Sequence, residues 1–151
     1  MGLKERLLEE LKEAMRAKDD LKVSVIRMLR AAVVNAEKEK RRELSEDEVL
    51  EVISREVKRR VEAAEEYERA GRADLAEKER KEAEILRSYL PEQMSEEEIK
   101  ELARRVIEEV GAVGRKDMGK VMGSIMPRVR GRAEGRVVSE IVRRLLEEME
   151  G

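Results

Sequence analysis

Ser95-Glu96-Glu97-Glu98-Ile99-Lys100-Glu101-Leu102-Ala103-Arg104-Arg105-Val106-Ile107-Glu108-Glu109-Val110-Gly111 is the stretch that decides the fold. Ser95 and Glu98 have the spacing of a capping box, in which each side chain satisfies a backbone N–H at the helix start. Ile99, Leu102, Ala103, Val106, Ile107 and Val110 then recur every three or four residues, which gathers them on one face of a helix. Gly111 supplies the stop, because it adopts the left-handed conformation that closes a helix without steric cost. Cap, stripe and stop all agree.

The same grammar recurs outward in both directions. Ser45-Glu46-Asp47-Glu48 is a second capping box, ahead of Val49, Val52, Ile53, Val57, Val61, Ala64 and Tyr67, with Gly71 as the stop. Leu3, Leu7, Leu11, Ala14 and Met15 predict a helix over about 3–17. Val25, Ile26, Leu29, Ala32, Val33 and Ala36 predict one over about 20–41, with Asp19 or Asp20 at its start. Leu75, Ala83, Leu86 and Leu90 predict a fourth over about 73–90, ended by Pro91. Beyond Gly111, a short helix is expected from Asp117 to near Pro127, with Met118, Val121, Met122, Ile125 and Met126 inward. A last helix carries Val137, Val138, Ile141, Val142, Leu145, Leu146 and Met149. The expected fold is all-α, a long-helix array followed by a small three-helix unit. Seven of the nine glycines lie at or beyond position 111, and the character of the chain changes at Pro91. The expected domains are therefore 1–91 and 92–151.

Composition narrows the chemistry. The 151 residues include no Cys and no His, so disulfides, thiolate metal sites and the usual neutral-pH general base are excluded. No P-loop follows either glycine pair, since the required Lys-Ser/Thr is missing. No catalytic residue, metal ligand or cofactor is expected. The longest apolar runs, such as Ala31–Val34, are too short to span a bilayer, so no membrane partner is expected. The N-terminus lacks a signal-peptide pattern, and a cytoplasmic protein is the default expectation. Charged residues make up 46%, Arg outnumbers Lys, and Asn35 and Gln93 are the lone amides of their kinds, a surface suited to a heat-loving organism.

One segment breaks the charge balance. Between residues 115 and 136 seven bases (Arg115, Lys116, Lys120, Arg128, Arg130, Arg132, Arg136) face two acids (Asp117, Glu134), a local +5 in a chain of net −2. Such clustering is the footprint expected for phosphate. Arg128, Arg130, Arg132 and Arg136 are the candidate contacts, supported by Lys116 and Lys120. Pro127 and Gly131 should keep the four arginines from radiating around one regular helix. The alternative is a solvated loop whose bases pair with nearby acids or helix ends. Gly119 and Gly123, four apart on one helix face, permit close approach, either of a neighbouring helix or of an RNA backbone, and Gly131 is grouped with them. With only Tyr67 and Tyr89 as aromatics, a stacking platform for single strands is not expected. Folded RNA, read by shape and phosphate, remains open.

Ser24-Val25-Ile26-Arg27-Met28-Leu29, Tyr89-Leu90-Pro91-Glu92-Gln93, Asp117-Met118-Gly119-Lys120-Val121-Met122-Gly123 and Gly131-Arg132-Ala133-Glu134-Gly135 together resemble the stand-alone GatB/YqeY family. The C-terminal part is similar to the tail domain of the GatB subunit of tRNA-dependent amidotransferase. That resemblance implies a tRNA-gripping helical tail. It implies no chemistry here, since the cradle domain that performs kinase and amide-transfer steps has no counterpart. The chain also has Glu134-Gly135 where the GatB tail tends to have Asn-Pro. A non-catalytic binder of tRNA or similarly folded RNA is therefore expected. The alternatives are a helical protein-interaction module acting through its N-terminal helices, or an accessory subunit of an amidotransferase.

Overall fold

The computed structural model describes residues 2–151 of the chain. Among them are seven α-helices, one 3-10 turn and no strand. The helices are α1 (Leu3–Arg16), α2 (Asp20–Lys40), α3 (Glu46–Arg69), α4 (Ala73–Arg87), α5 (Glu96–Val110), α6 (Met118–Val129) and α7 (Gly135–Met149). The protein is all-α. The described residues divide into two compact units, with the boundary between Leu90 and Pro91.

In the first unit, the side chain of Asp19 accepts the N–H of Lys22 to start α2, and the Ser45–Glu48 capping box starts α3. Leu7 and Leu11 of α1, Ile26 and Leu29 of α2, Ile53 of α3 and Leu86 of α4 bury in one apolar core. Tyr89 closes its edge: the ring is buried, its O–H donates to Glu10 at 3.0 Å, and the Arg6 guanidinium lies 4.8 Å from its centroid. Burial, then the Glu10 carboxylate, pushes the Tyr89 phenol up. Arg60 of α3 is buried too, 3.0 Å from Glu56 and 3.3 Å from Glu82 of α4. Its Nε sits at ion-pair distance from Glu82 without the alignment of a hydrogen bond.

The second unit packs α5, α6 and α7 around Leu102, Val106, Val121, Ile125, Val138 and Leu146. Met118, Met122 and Met126 lie partly buried against this core. Gly111 ends α5 with φ +68°, and the 3-10 turn Arg115–Asp117 leads into α6.

Two expected helix ends move. α6 does not stop near Pro127 but runs on to Val129, because Ile125 and Val129 are both fully buried and hold the last turn against the core. One missing N–H near a helix end is outweighed by that burial. α4 ends at Arg87 rather than near Leu90. Ser88 Oγ donates to the Ile85 carbonyl at 2.6 Å, which competes with a further helical turn.

Candidate nucleic-acid interface

Each of the first five helices begins with an acidic residue in its first turn: Glu5, Asp20, Glu46–Glu48, Asp74 and Glu96–Glu98. That is the favourable arrangement, because unsatisfied N–H groups make a helix N-terminus electropositive. α6 and α7 invert it. Neither has an acid in its first turn nor a side-chain cap, and each carries a base there, Lys120 and Arg136. Asp117, the residue before α6, turns its carboxylate back to the Val113 N–H at 2.8 Å. That backbone hydrogen bond holds its carboxyl below the ordinary range. No carboxylate occurs between Met118 and Ala133, although 36 of the 151 residues are acidic. α1 and α4 also lack a side-chain cap, so what sets α6 and α7 apart is an acid-free first turn, each preceded by an acid at the N-cap, Asp117 and Glu134.

The four candidate arginines do not converge on a single point. Arg128, still in α6, pairs with Glu109 of α5 at 2.7 Å and holds that carboxyl below its usual range. Arg130 is exposed where α6 ends. Gly131 has φ +79°, a left-handed conformation that its turn requires. Arg132 folds back and donates from Nε to the Glu92 carbonyl at 2.9 Å, while Met94 N–H donates to the Arg132 carbonyl. Gln93 Nε2 donates to the Gly131 carbonyl at 2.8 Å. The loop after α6 is thereby stitched to the segment before α5. Arg136 is exposed at the start of α7.

Arg128 and Arg132 do share a cleft of about 320 Å³ with Arg105, which also exposes Glu98 and Glu101. Arg105 was missed by sequence reasoning, because it sits in α5 far from the basic run. The adjacent Arg104-Arg105 pair was the signal available. Lys116 and Lys120 lie outside this cleft, at the other end of α6, which at 12 residues is about 18 Å long. Lys116, Lys120 and Arg136 make no hydrogen bond or ion pair among the described residues. Arg115 is held by Glu150 through both its backbone N–H and its guanidinium. Arg143 pairs weakly with Glu140 and Glu147. The candidate bases therefore share no single focus.

Gly119 and Gly123 are both exposed, and a Cβ built on either meets nothing within 4 Å. No neighbouring helix of the described residues uses that space. Among the same residues, no group of carboxylates is arranged to hold a metal ion, and no helix is long and apolar enough to cross a membrane.

Comparison with known proteins supplies the relatives. "Altered inheritance of mitochondria protein 41, mitochondrial" of Pyrenophora tritici-repentis is 33% identical over 77% of this chain and 65% of its own length. The protein of the same name from Clavispora lusitaniae is 36% identical over 68% of the chain and 61% of its own length. That of Lachancea thermotolerans is 36% identical over 56% and 46%. The chain thus spans less than two thirds of the length of these relatives. Their names correct the expectation of a cytoplasmic protein, since each is called mitochondrial. The default rested on the lack of a targeting pattern and of an apolar span, and neither distinguishes one aqueous compartment from another. A family model described as Yqey-like protein matches residues 4–146, and the chain belongs to that family.

Proposed function

We propose that the chain is a non-catalytic binding module for folded RNA of the tRNA kind, held through the exposed strip of α6 and the start of α7. The observation that carries this reading is that the first turns of α6 and α7 hold Lys120 and Arg136 with no acid, whereas those of α1 to α5 each hold an acid. A base at a helix N-terminus is unfavourable by itself and becomes favourable when an anion approaches. Lys116 adds to the same field, and the open faces of Gly119 and Gly123 let a sugar–phosphate backbone come within contact of α6. Arg105, Arg128 and Arg132 line a neighbouring cleft, where Glu98 and Glu101 temper their charge. The resemblance of the C-terminal part to an amidotransferase tail supports tRNA as the RNA class.

Filter binding to bulk tRNA across a salt series tests this. Each phosphate contact releases counterions, so replacing Lys116, Lys120 and Arg136 together by Ala should lower the magnitude of the log–log salt slope by about two to three units. The control replaces Arg55, Lys58 and Lys78, exposed bases of the first unit, and should leave the slope unchanged. Equal losses in both variants, or no salt-dependent binding by the wild type, reject the reading.

A further inference from the structure

Among the described residues, six large hydrophobic side chains are more than about a third exposed, and four of them lie on α1 and α2: Leu8, Met15, Met28 and Val34. α2 mixes apolar and basic residues on its outer side. Its inner face buries Val25, Ile26, Leu29 and Val33, while at about 100° per residue the opposite face centres on Arg27, Ala31, Val34 and Lys38. That side stays open, and a groove of about 80 Å³ between α1 and α2 is lined by Lys4, Leu7, Arg30, Val33, Val34 and Glu37.

The α2 side of this face is one-sided in charge up to Glu37, whose carboxylate is held by Lys4 at 2.6 Å. No carboxylate occurs between Leu21 and Ala36. Arg27, Arg30 and Lys38 have no ion-pair partner among the described residues, and Arg27 reaches only the Met15 sulfur at 4.0 Å. Arginine and methionine around an acid-free apolar strip match the composition of protein interfaces. We infer that the outer face of α1 and α2 docks an acidic amphipathic helix of another protein. Its apolar stripe would lie along Ala31 and Val34, and its flanking carboxylates would pair with Arg27, Arg30 and Lys38.

Other occupants fit less well. Phosphate gains nothing from Leu8, Met15, Met28 and Val34. A second copy laid antiparallel on α2 would set Arg27 of each chain against the basic end of the other. A bilayer surface favours bulky Trp, Phe or Leu at the centre of the face. Here the centre is Ala31 between Ser24 and Asn35, all exposed and small enough for a partner helix to come close.

The test uses the full chain and fluorescence anisotropy. The probe is a synthetic helical peptide with leucines at i, i+3, i+4 and i+7 flanked by glutamates. It should bind about tenfold or more tighter than a scrambled peptide of the same composition. Val34→Asp, and separately Arg27→Glu with Arg30→Glu, should each weaken it by about tenfold or more. Both variants should keep the wild-type melting temperature, because these side chains lie outside the core. They should also keep wild-type tRNA binding, so this inference and the RNA reading fail separately. Equal binding of the scrambled peptide overturns the proposal. So does loss of tRNA or anionic-vesicle binding on Val34→Asp, or a wild-type dimer that Val34→Asp dissociates.

Discussion

Gly119 and Gly123 have ordinary helical space around them, with nothing within 4 Å of a Cβ at either position. Each glycine therefore costs α6 stability, about 1 kcal/mol relative to Ala, with no packing in the chain to offset it. Gly119→Ala and Gly123→Ala should each raise the melting temperature. Leucine at the same positions should weaken tRNA binding by blocking the backbone's approach; unchanged binding by both leucine variants would show that this face is not used. Arg60 makes the opposite case. It is 6% exposed and Glu82 8%, so Arg60→Ala strands the buried Glu82 carboxylate and should cost about 3–5 kcal/mol in a denaturant melt. Arg60→Met with Glu82→Leu should recover most of that loss. The sequence marked the two glycines, because mid-helix glycine is locally anomalous. It could not mark Arg60, because one more Arg in a charged helix looks like solvated surface until α4 is packed over it.

At the scale of elements, the starts of α6 and α7 separate stability from function. Lys120→Glu and Arg136→Glu place an acid in each first turn, and each should leave stability unchanged or raise it by about 0.3–1 kcal/mol. The same changes should weaken tRNA binding and flatten its salt dependence. If melting temperature and RNA affinity fall together, Lys120 and Arg136 serve the fold instead. Helix existence was legible throughout, and both capping boxes form as their Ser-x-x-Glu spacing predicts. Ser95→Ala should accordingly cost about 1 kcal/mol and show as a lower melting temperature. Helix ends were less legible. Pro127 reads as a stop, yet the burial of Val129 carries α6 past it, and burial is a tertiary quantity.

At the scale of the whole molecule, a band of ion pairs sets the response to pH. A hydrogen bond from Lys4, then one from the Leu44 N–H, holds the Glu37 carboxyl below its ordinary value. Burial pushes Glu10 up, but the hydrogen bonds from Arg6 and Tyr89 more than offset it, so its carboxyl is also lowered. Carboxyls lowered on folding stabilise the protein above their unfolded pKa, and that contribution fades as pH falls through the folded values. Melting temperature should thus hold steady near neutrality and decline below about pH 5. Glu10→Gln with Glu37→Gln should melt lower at pH 7 and decline less steeply; an identical pH profile would mean these pairs contribute nothing. The periodicity, the caps and the missing Cys and His determined by themselves that the chain is helical and without thiol or imidazole side chains, because those are properties of local spacing and of side-chain chemistry. They also singled out the basic segment from 115 to 136. Only the tertiary structure decided how those bases are spent: Arg128 on Glu109, Arg132 on the Glu92 carbonyl, Arg115 on Glu150, with Lys116, Lys120 and Arg136 left unpaired among the described residues. Charge along a sequence is a count, whereas pairing depends on which helices lie side by side, and that is fixed by the burial of apolar faces.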